Sequence, residues 1–233
     1  MSYHIYILGY KQPGALQACE SAVRASLVPG TFCVEVVDNT AENVNIHKRW
    51  NDSWKVSGAE WMVYLTADTL PQGGWLHEIH AAREVCGPQY AAFGPSTNSC
   101  YNEQAGREPA IVAQAPAGSV VPGILLPGFC MAVRRDALVA LGGFREDFTF
   151  YGGDVDFMYR LRMAGYETGW VVRSFVYHEW GGSAKKQGKE WYEKAREEGN
   201  SRLQAAVQAY EADPGLWYWT GTGCVRKADG GQG

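Results

Sequence analysis

Short apolar runs alternate with helical segments from Tyr3 to Phe93, and few folds accept that pattern. Tyr3 to Leu8, Phe32 to Val37, Trp61 to Leu65 and Tyr90 to Phe93 are too short for helices and read as buried strands. After the first, Leu16, Cys19, Val23 and Leu27 recur at helical spacing until Pro29-Gly30 stops the helix. Residues 43–58 mix polar and aromatic side chains as a helix and a loop. Pro71 to Gly74 turns the chain into a helix that runs to about Cys86. Strand, helix and strand in succession predict an α/β fold, Rossmann-like, with a mostly parallel central sheet flanked by helices. Ligands of such sheets sit beyond the carboxyl ends of the strands. The first three runs lead there to Tyr10, Asp38 and Asp68.

Residues 95–127 break the alternation: they are rich in Gly, Pro, Ser, Ala and Asn, and read as an acceptor-side or lid region. Phe129 to Val133 is apolar again, Arg135 to Leu141 is a short helix closed by Gly142-Gly143, and Asp154 to Ala164 is a helix closed by Gly165. Strand-like runs follow at Gly169 to Val172 and Phe175 to His178. Lys189 to Glu211 is a helical C-terminal extension. Beyond it, an aromatic stretch around Trp217 is expected to dock on the domain and the glycine-rich end to be disordered.

The chain of 233 residues accommodates one large domain with a tail. A formal net charge of −4 argues against binding polyanions by bulk charge. Lys185, Lys186, Lys189, Lys194 and Arg196 read as a solvated helix face. The six cysteines include no C-x-x-C pair and read as free thiols of a reducing compartment. There is no basic leader and no apolar stretch long enough for a membrane span, so the expectation is a cytoplasmic protein.

Several residues could carry chemistry, each with a plainer alternative. Asp68, at a strand end, could hold a divalent cation or simply close an Asx turn. Asp38 could accept hydrogen bonds from a ribose or a base, or be a turn residue. Asp154 and Asp156 open a helix, where acids suit the dipole; two residues apart, they face different ways, so one could address a pocket. Gly152-Gly153 before them allows a sharp bend and close approach of a substrate. His178 could ligate a metal or contact phosphate. His77 and His80 read as surface. Trp50, Trp54, Tyr101 and Trp180 could stack on a sugar or base, or be core.

Three segments together resemble family 2 of the glycosyltransferases. The first is Val36-Val37-Asp38-Asn39-Thr40. The second runs from Asn51 through Ala59 to Leu65-Thr66-Ala67-Asp68-Thr69-Leu70-Pro71 and Trp75-Leu76. The third and most specific starts with Gly128-Phe129-Cys130-Met131 and Arg134-Arg135, and passes Leu141-Gly142-Gly143-Phe144 and Asp154-Val155-Asp156. It continues through Arg160-Leu161-Arg162 and Ala164-Gly165-Tyr166 to His178 and Gly182-Ser183.

That resemblance implies a GT-A fold over residues 1–183, with a donor half to about 94 and an acceptor half after it, and a packed C-terminal helix and tail over 184–233. It implies a nucleoside-diphosphate sugar donor, Mn²⁺ or Mg²⁺, and transfer with inversion. Carried over, Asp154 is the catalytic base. Tyr10, Asp38, Asn39, Asn51, Thr66 and Asp68 address the donor, and Asp68 with His178 the metal. Gly128, Phe129, Gly153, Asp156 and Trp180 lie on the acceptor side. Thr66 stands where the first acid of a D-x-D motif would be, Gly153 where an acid usually precedes the base, and Arg145-Glu146 where the family has D-E. Arg145 could favour an anionic acceptor or pair with Asp147. The acceptor is left open among a glycan, a protein and a hydroxylated DNA base. Rival readings are a non-catalytic nucleotide-sugar binder on the same fold and a nucleotidyltransferase. The latter would want a basic, glycine-rich loop that Gly9 to Gly14 matches poorly.

Overall fold

The computed structural model describes residues 2–26, 32–179, 181 and 186–212, and the backbone of 217–219 and 224–226. Strand β1 (Tyr3–Gly9) leads through α1 (Pro13–Ser26) to β2 (Phe32–Asp38), and α2 (Ile46–Val56) leads to β3 (Trp61–Thr66). A short β4 (Thr69–Pro71) precedes α3 (Trp75–Cys86) and β5 (Tyr90–Ser96). Next come α4 (Pro109–Val112), β6 (Val120–Pro122), β7 (Cys130–Arg134), α5 (Arg135–Leu141), α6 (Gly153–Met163), β8 (Glu167–His178) and α7 (Lys189–Ala212). Strands β9 (Trp217–Trp219) and β10 (Cys224–Arg226) form a separate antiparallel pair. The expected helix stop at Pro29-Gly30 lies outside the described residues.

The main sheet has the order β2-β1-β3-β7-β5-β8-β4, with β6 on β8. Strands β1, β2, β3, β5 and β8 run one way, while β4, β6 and β7 oppose them. The α/β architecture expected from the alternation is present, with the reversed β7 inserted between the two parallel groups. The two runs at 169–172 and 175–178 are one long strand, with an irregular register where Pro95 pairs Val171 and Ser96 pairs Phe175.

Period-two alternation divides the core across the sheet. Ile5, Ile7, Val63 and Leu65 face one way and pack with Leu16, Cys19 and Val23 of α1 and Ile79 of α3. Tyr6, Leu8, Met62 and Tyr64 face the other way and meet Trp50 of α2, Leu138 of α5, and Phe157 and Leu161 of α6. Both faces are therefore covered, as strands with so few polar residues require. Residues 95–127 are more ordered than their composition suggests: β6 pairs with β8, and Gln104 donates to the Pro95 carbonyl at 2.6 Å. Cys19, Cys33, Cys86, Cys100 and Cys130 are free thiols. Among the described residues no helix is long and apolar enough to cross a membrane.

The topology gathers distant residues along one edge. Gly9 pairs with Asp38 and Leu8 with Thr66, so β1, β2 and β3 end level. Strand β7 runs oppositely and pairs Cys130 with Leu65, so its entry, Gly128-Phe129, reaches that same edge. The carboxyl end of β8 brings His178 there too, opposite Thr69 of β4.

Candidate active site

A cavity of about 720 Å³ opens along this edge. Tyr10, Asn39, His47, Thr66, Asp68, Gly128, Phe129, Asp154 and His178 line it, together with Tyr101, Phe150, Tyr151 and a face of α7.

Asp68 sits in a tightly held turn. The Ala67 N–H donates to the Leu8 carbonyl at 2.9 Å, and the Thr69 hydroxyl to the Thr66 carbonyl at 2.7 Å. The Asp68 carbonyl in turn accepts from the Glu179 N–H at 2.9 Å, which binds this turn to the residue after His178. The Asp68 Oδ1 is buried with no hydrogen-bond partner. A carboxylate oxygen without water or a donor is costly, so a bound cation is the natural complement.

His178 is oriented for the same task. Its Nδ1 donates to the Ser99 carbonyl at 2.8 Å, and its ring stacks on Phe129 with centroids 4.5 Å apart. With the proton on Nδ1, the lone pair is on Nε2, the arrangement of a metal-ligating histidine held by a backbone carbonyl. Among the described residues no group of three or more His, Cys, Asp and Glu side chains could hold an ion by itself. Asp68 and His178 are lining side chains that could each ligate a hard cation, whose remaining positions would be filled by ligand oxygens or water.

Asp154, at the start of α6, accepts the Gly128 N–H on Oδ2 at 2.7 Å. A Cβ at Gly128 would come within 2.9 Å of Trp50 and 3.2 Å of Asp154 Oδ2, so the close approach needs glycine. Gly153 is also constrained: a Cβ there would stand 2.3 Å from His47 Nε2. His47, which sequence reasoning missed, is buried and donates from Nδ1 to the Phe148 carbonyl at 2.9 Å. Its imidazole occupies the space that a side chain at 153 would need. Gly153→Ala is expected to destabilise the fold by about 1–3 kcal/mol, as overpacking does. Gly153→Ala/His47→Ala should recover part of that loss in urea unfolding, whereas independent sites would simply add.

Burial lowers the pKa of His47, against the opposing pull of Asp154, the Phe148 carbonyl, Asp156 and Asp147. The unfolded imidazole titrates at about pH 6.5. Below that the unfolded chain takes up a proton that the folded chain does not, so stability falls as pH drops. Urea midpoints are expected to fall between pH 7 and 5, and to fall less in His47→Asn.

Other expected residues are placed differently. Asn51 does not line the cavity. It is buried and saturated: its amide donates to the Phe144 carbonyl at 2.8 Å and Glu146 at 2.9 Å, and its oxygen accepts from the Phe144 N–H and Trp54 Nε1. It is a brace between α2 and the loop after α5, not a donor contact. Asp156 is fully buried beside Arg160 at 2.8 Å and accepts the Tyr210 hydroxyl at 2.6 Å, so it does not face an acceptor. Asn39 lines the cavity, but its side chain is spent on the Val44 backbone and Arg49. Asp38 is exposed and is not among the residues lining the cavity, and its Oδ1 accepts the N–H and hydroxyl of Thr40, an Asx-type turn that lowers its pKa. Tyr10 lies under the Lys11 ammonium, and hydrogen bonds from Lys11 and Gln187 lower the pKa of its phenol. Thr66 hangs from the Phe129 carbonyl. Arg145 pairs with Asp147 at 2.6 Å. Trp50 and Trp54 are core, and Trp180, Gly182 and Ser183 lie outside the described residues.

Residues 61–208 match the family model described as glycosyl transferase family group 2. The chain belongs to that family. No curated protein matches it. Among solved structures, GalNAc-T7 with UDP, GalNAc and Mn²⁺ aligns with TM-score 0.58 and 11% identity, over 76% of this chain and 43% of that one. TarS 1-349 of S. aureus aligns with TM-score 0.58 and 11% identity, over 80% of this chain and 63% of that one. The mannosyltransferase PcManGT of Pyrobaculum calidifontis, in complex with GDP-Man and Mn²⁺, aligns with TM-score 0.52 and 15% identity, over 91% of this chain and 75% of that one. At these identities the likeness is one of fold, the GT-A architecture. The chain spans less than two thirds of the first two structures. Against the family pattern, position 153 stands out: where an acid is usual, glycine makes room for His47.

Proposed function

We propose that the protein transfers a sugar from a nucleoside-diphosphate sugar to an acceptor hydroxyl, with inversion, assisted by Mn²⁺ or Mg²⁺. The observation that carries this reading is the unpartnered Asp68 Oδ1, with His178 and Asp154 lining the same cavity. Solved structures of the same fold hold UDP or GDP-Man together with Mn²⁺, which supports the donor class.

In this reading the nucleoside lies along the Tyr10–Asn39 side of the cavity. Asp68 and His178 would hold the cation, which when bound supplies positive charge against the diphosphate. The Gly128 N–H fixes one oxygen of Asp154. The other takes the proton of the acceptor hydroxyl as that oxygen bonds to the anomeric carbon. The bond from that carbon to the diphosphate breaks on the opposite face, and its electron pair leaves with the nucleotide. A single displacement of this kind inverts the anomeric centre.

Calorimetry with UDP and GDP tests the donor side. One nucleotide should bind with Mn²⁺, and binding should weaken at least about tenfold with EDTA or in Asp68→Ala, a loss in the range of one charge-assisted contact. Equal binding with and without metal would remove the support for this role of Asp68.

A further inference from the structure

Helix α7 presents an uncommon face to the cavity. Tyr192, Arg196, Asn200 and Leu203 all line it and recur at helical spacing. Between them Gly199 is buried, and a Cβ there would stand 2.5 Å from the Tyr151 carbonyl oxygen, so the helix lies directly on the loop that enters α6. Ring contacts fix the same junction: Phe150 meets Trp191 with centroids 5.4 Å apart, and Tyr151 meets Tyr192 at 5.8 Å. The orientation of this face is therefore set by packing at Gly199, and its polar members, Arg196 and Asn200, are exposed where they line the cavity.

The charges of α7 single out one residue. Lys189 pairs with Glu193, Lys194 with Glu198, and Arg202 with Asp147. Arg196 has no carboxylate partner among the described residues, although it lines the cavity. Its guanidinium is close enough to Tyr151 to oppose the rise in that phenol's pKa. Among the described residues of the basic segment read from sequence as a solvated face, Arg196 is the cation that lines the cavity, and Arg145, the other candidate, is engaged with Asp147.

We infer that the acceptor is an anionic sugar, whose carboxylate or phosphate is received by Arg196, with Asn200 beside it, while its ring lies against the aromatic wall of Tyr151, Trp191 and Tyr192. This rests on the donor and base assignment proposed above and deepens it by naming the acceptor class. The planar guanidinium offers paired N–H donors that match either anion. Trp191 lines the cavity and is 37% exposed.

The test is binding by saturation-transfer NMR, with Mg²⁺ and whichever of UDP and GDP binds present, of methyl β-D-glucuronide, glucose 6-phosphate and methyl β-D-glucoside. At least one anionic sugar should bind about tenfold tighter than the neutral one, the scale of one charge-assisted contact. The tighter of the two identifies carboxylate or phosphate as the recognised group. Arg196→Gln should bring the three within about twofold, while Arg202→Gln, on the same helix, keeps the preference. Equal binding of all three, binding of none, or a preference that survives Arg196→Gln overturns the inference. So does an equal loss of nucleotide affinity in Arg196→Gln, which would assign the guanidinium to the donor. If neither UDP nor GDP binds the native protein, the donor reading falls, while a charge preference lost with Arg196 would still establish the anionic subsite.

Discussion

Asp154→Asn is expected to lower kcat by about 10²–10⁴, the range that a positioned general base supplies. The protein should remain folded, because asparagine can still accept the Gly128 N–H that the Asp154 Oδ2 accepts at 2.7 Å. What it cannot do is take a proton from the acceptor hydroxyl. Unfolding midpoints within about 0.5 kcal/mol of the native protein, as for most substitutions that keep their contacts, are therefore expected beside a collapse of turnover. Nucleotide binding should persist, since the proposed donor contacts are Asp68 and His178 rather than Asp154. Full activity in Asp154→Asn would remove this residue from the chemistry.

Asp156→Ala, two residues on, should fail in the opposite assay. Asp156 is 0% exposed and bonded to Arg160, whose guanidinium also holds the carbonyls of Leu141 and Gly143. Removing the carboxylate strands a buried cation, which costs about 3–5 kcal/mol. It also releases the Tyr210 hydroxyl, and with it one tie between α6 and α7. Urea unfolding should show this loss directly. A well-folded Asp156→Ala with impaired transfer would contradict the structural role and return the residue to the acceptor side.

The contrast between these two aspartates shows what the sequence could carry. Asp68, Asp154 and His178 were legible because each stands next to a chain reversal at the end of a strand or the start of a helix, positions that topology brings to one edge. Asn51 and Asp156 belong to the same motifs, yet their partners, Phe144 and Tyr210, lie far along the chain. No local pattern states whether such a polar side chain braces the core or faces a ligand. His47 was missed for the same reason: its meaning depends on the bare backbone of Gly153. Strands β4 and β6 have 3 residues each, too short for alternation to register. The reversal of β7 is also silent, since a buried run reads alike in either direction. Arg196 was visible only as part of a basic segment. Which face of α7 meets the site is fixed by Gly199 and Tyr151, a contact between distant elements.

The most direct test of nucleotide-sugar-dependent transfer is release of free nucleotide from a panel of UDP- and GDP-sugars, with Mn²⁺ or with EDTA, in the native protein and in Asp68→Ala. Slow hydrolysis by water stands in for the acceptor, and an anionic sugar can be added to each reaction. The expected result is release from one donor that requires Mn²⁺, rises with acceptor, and is lost in Asp68→Ala. Release from no donor with acceptor present, or release indifferent to both metal and Asp68, would contradict the account.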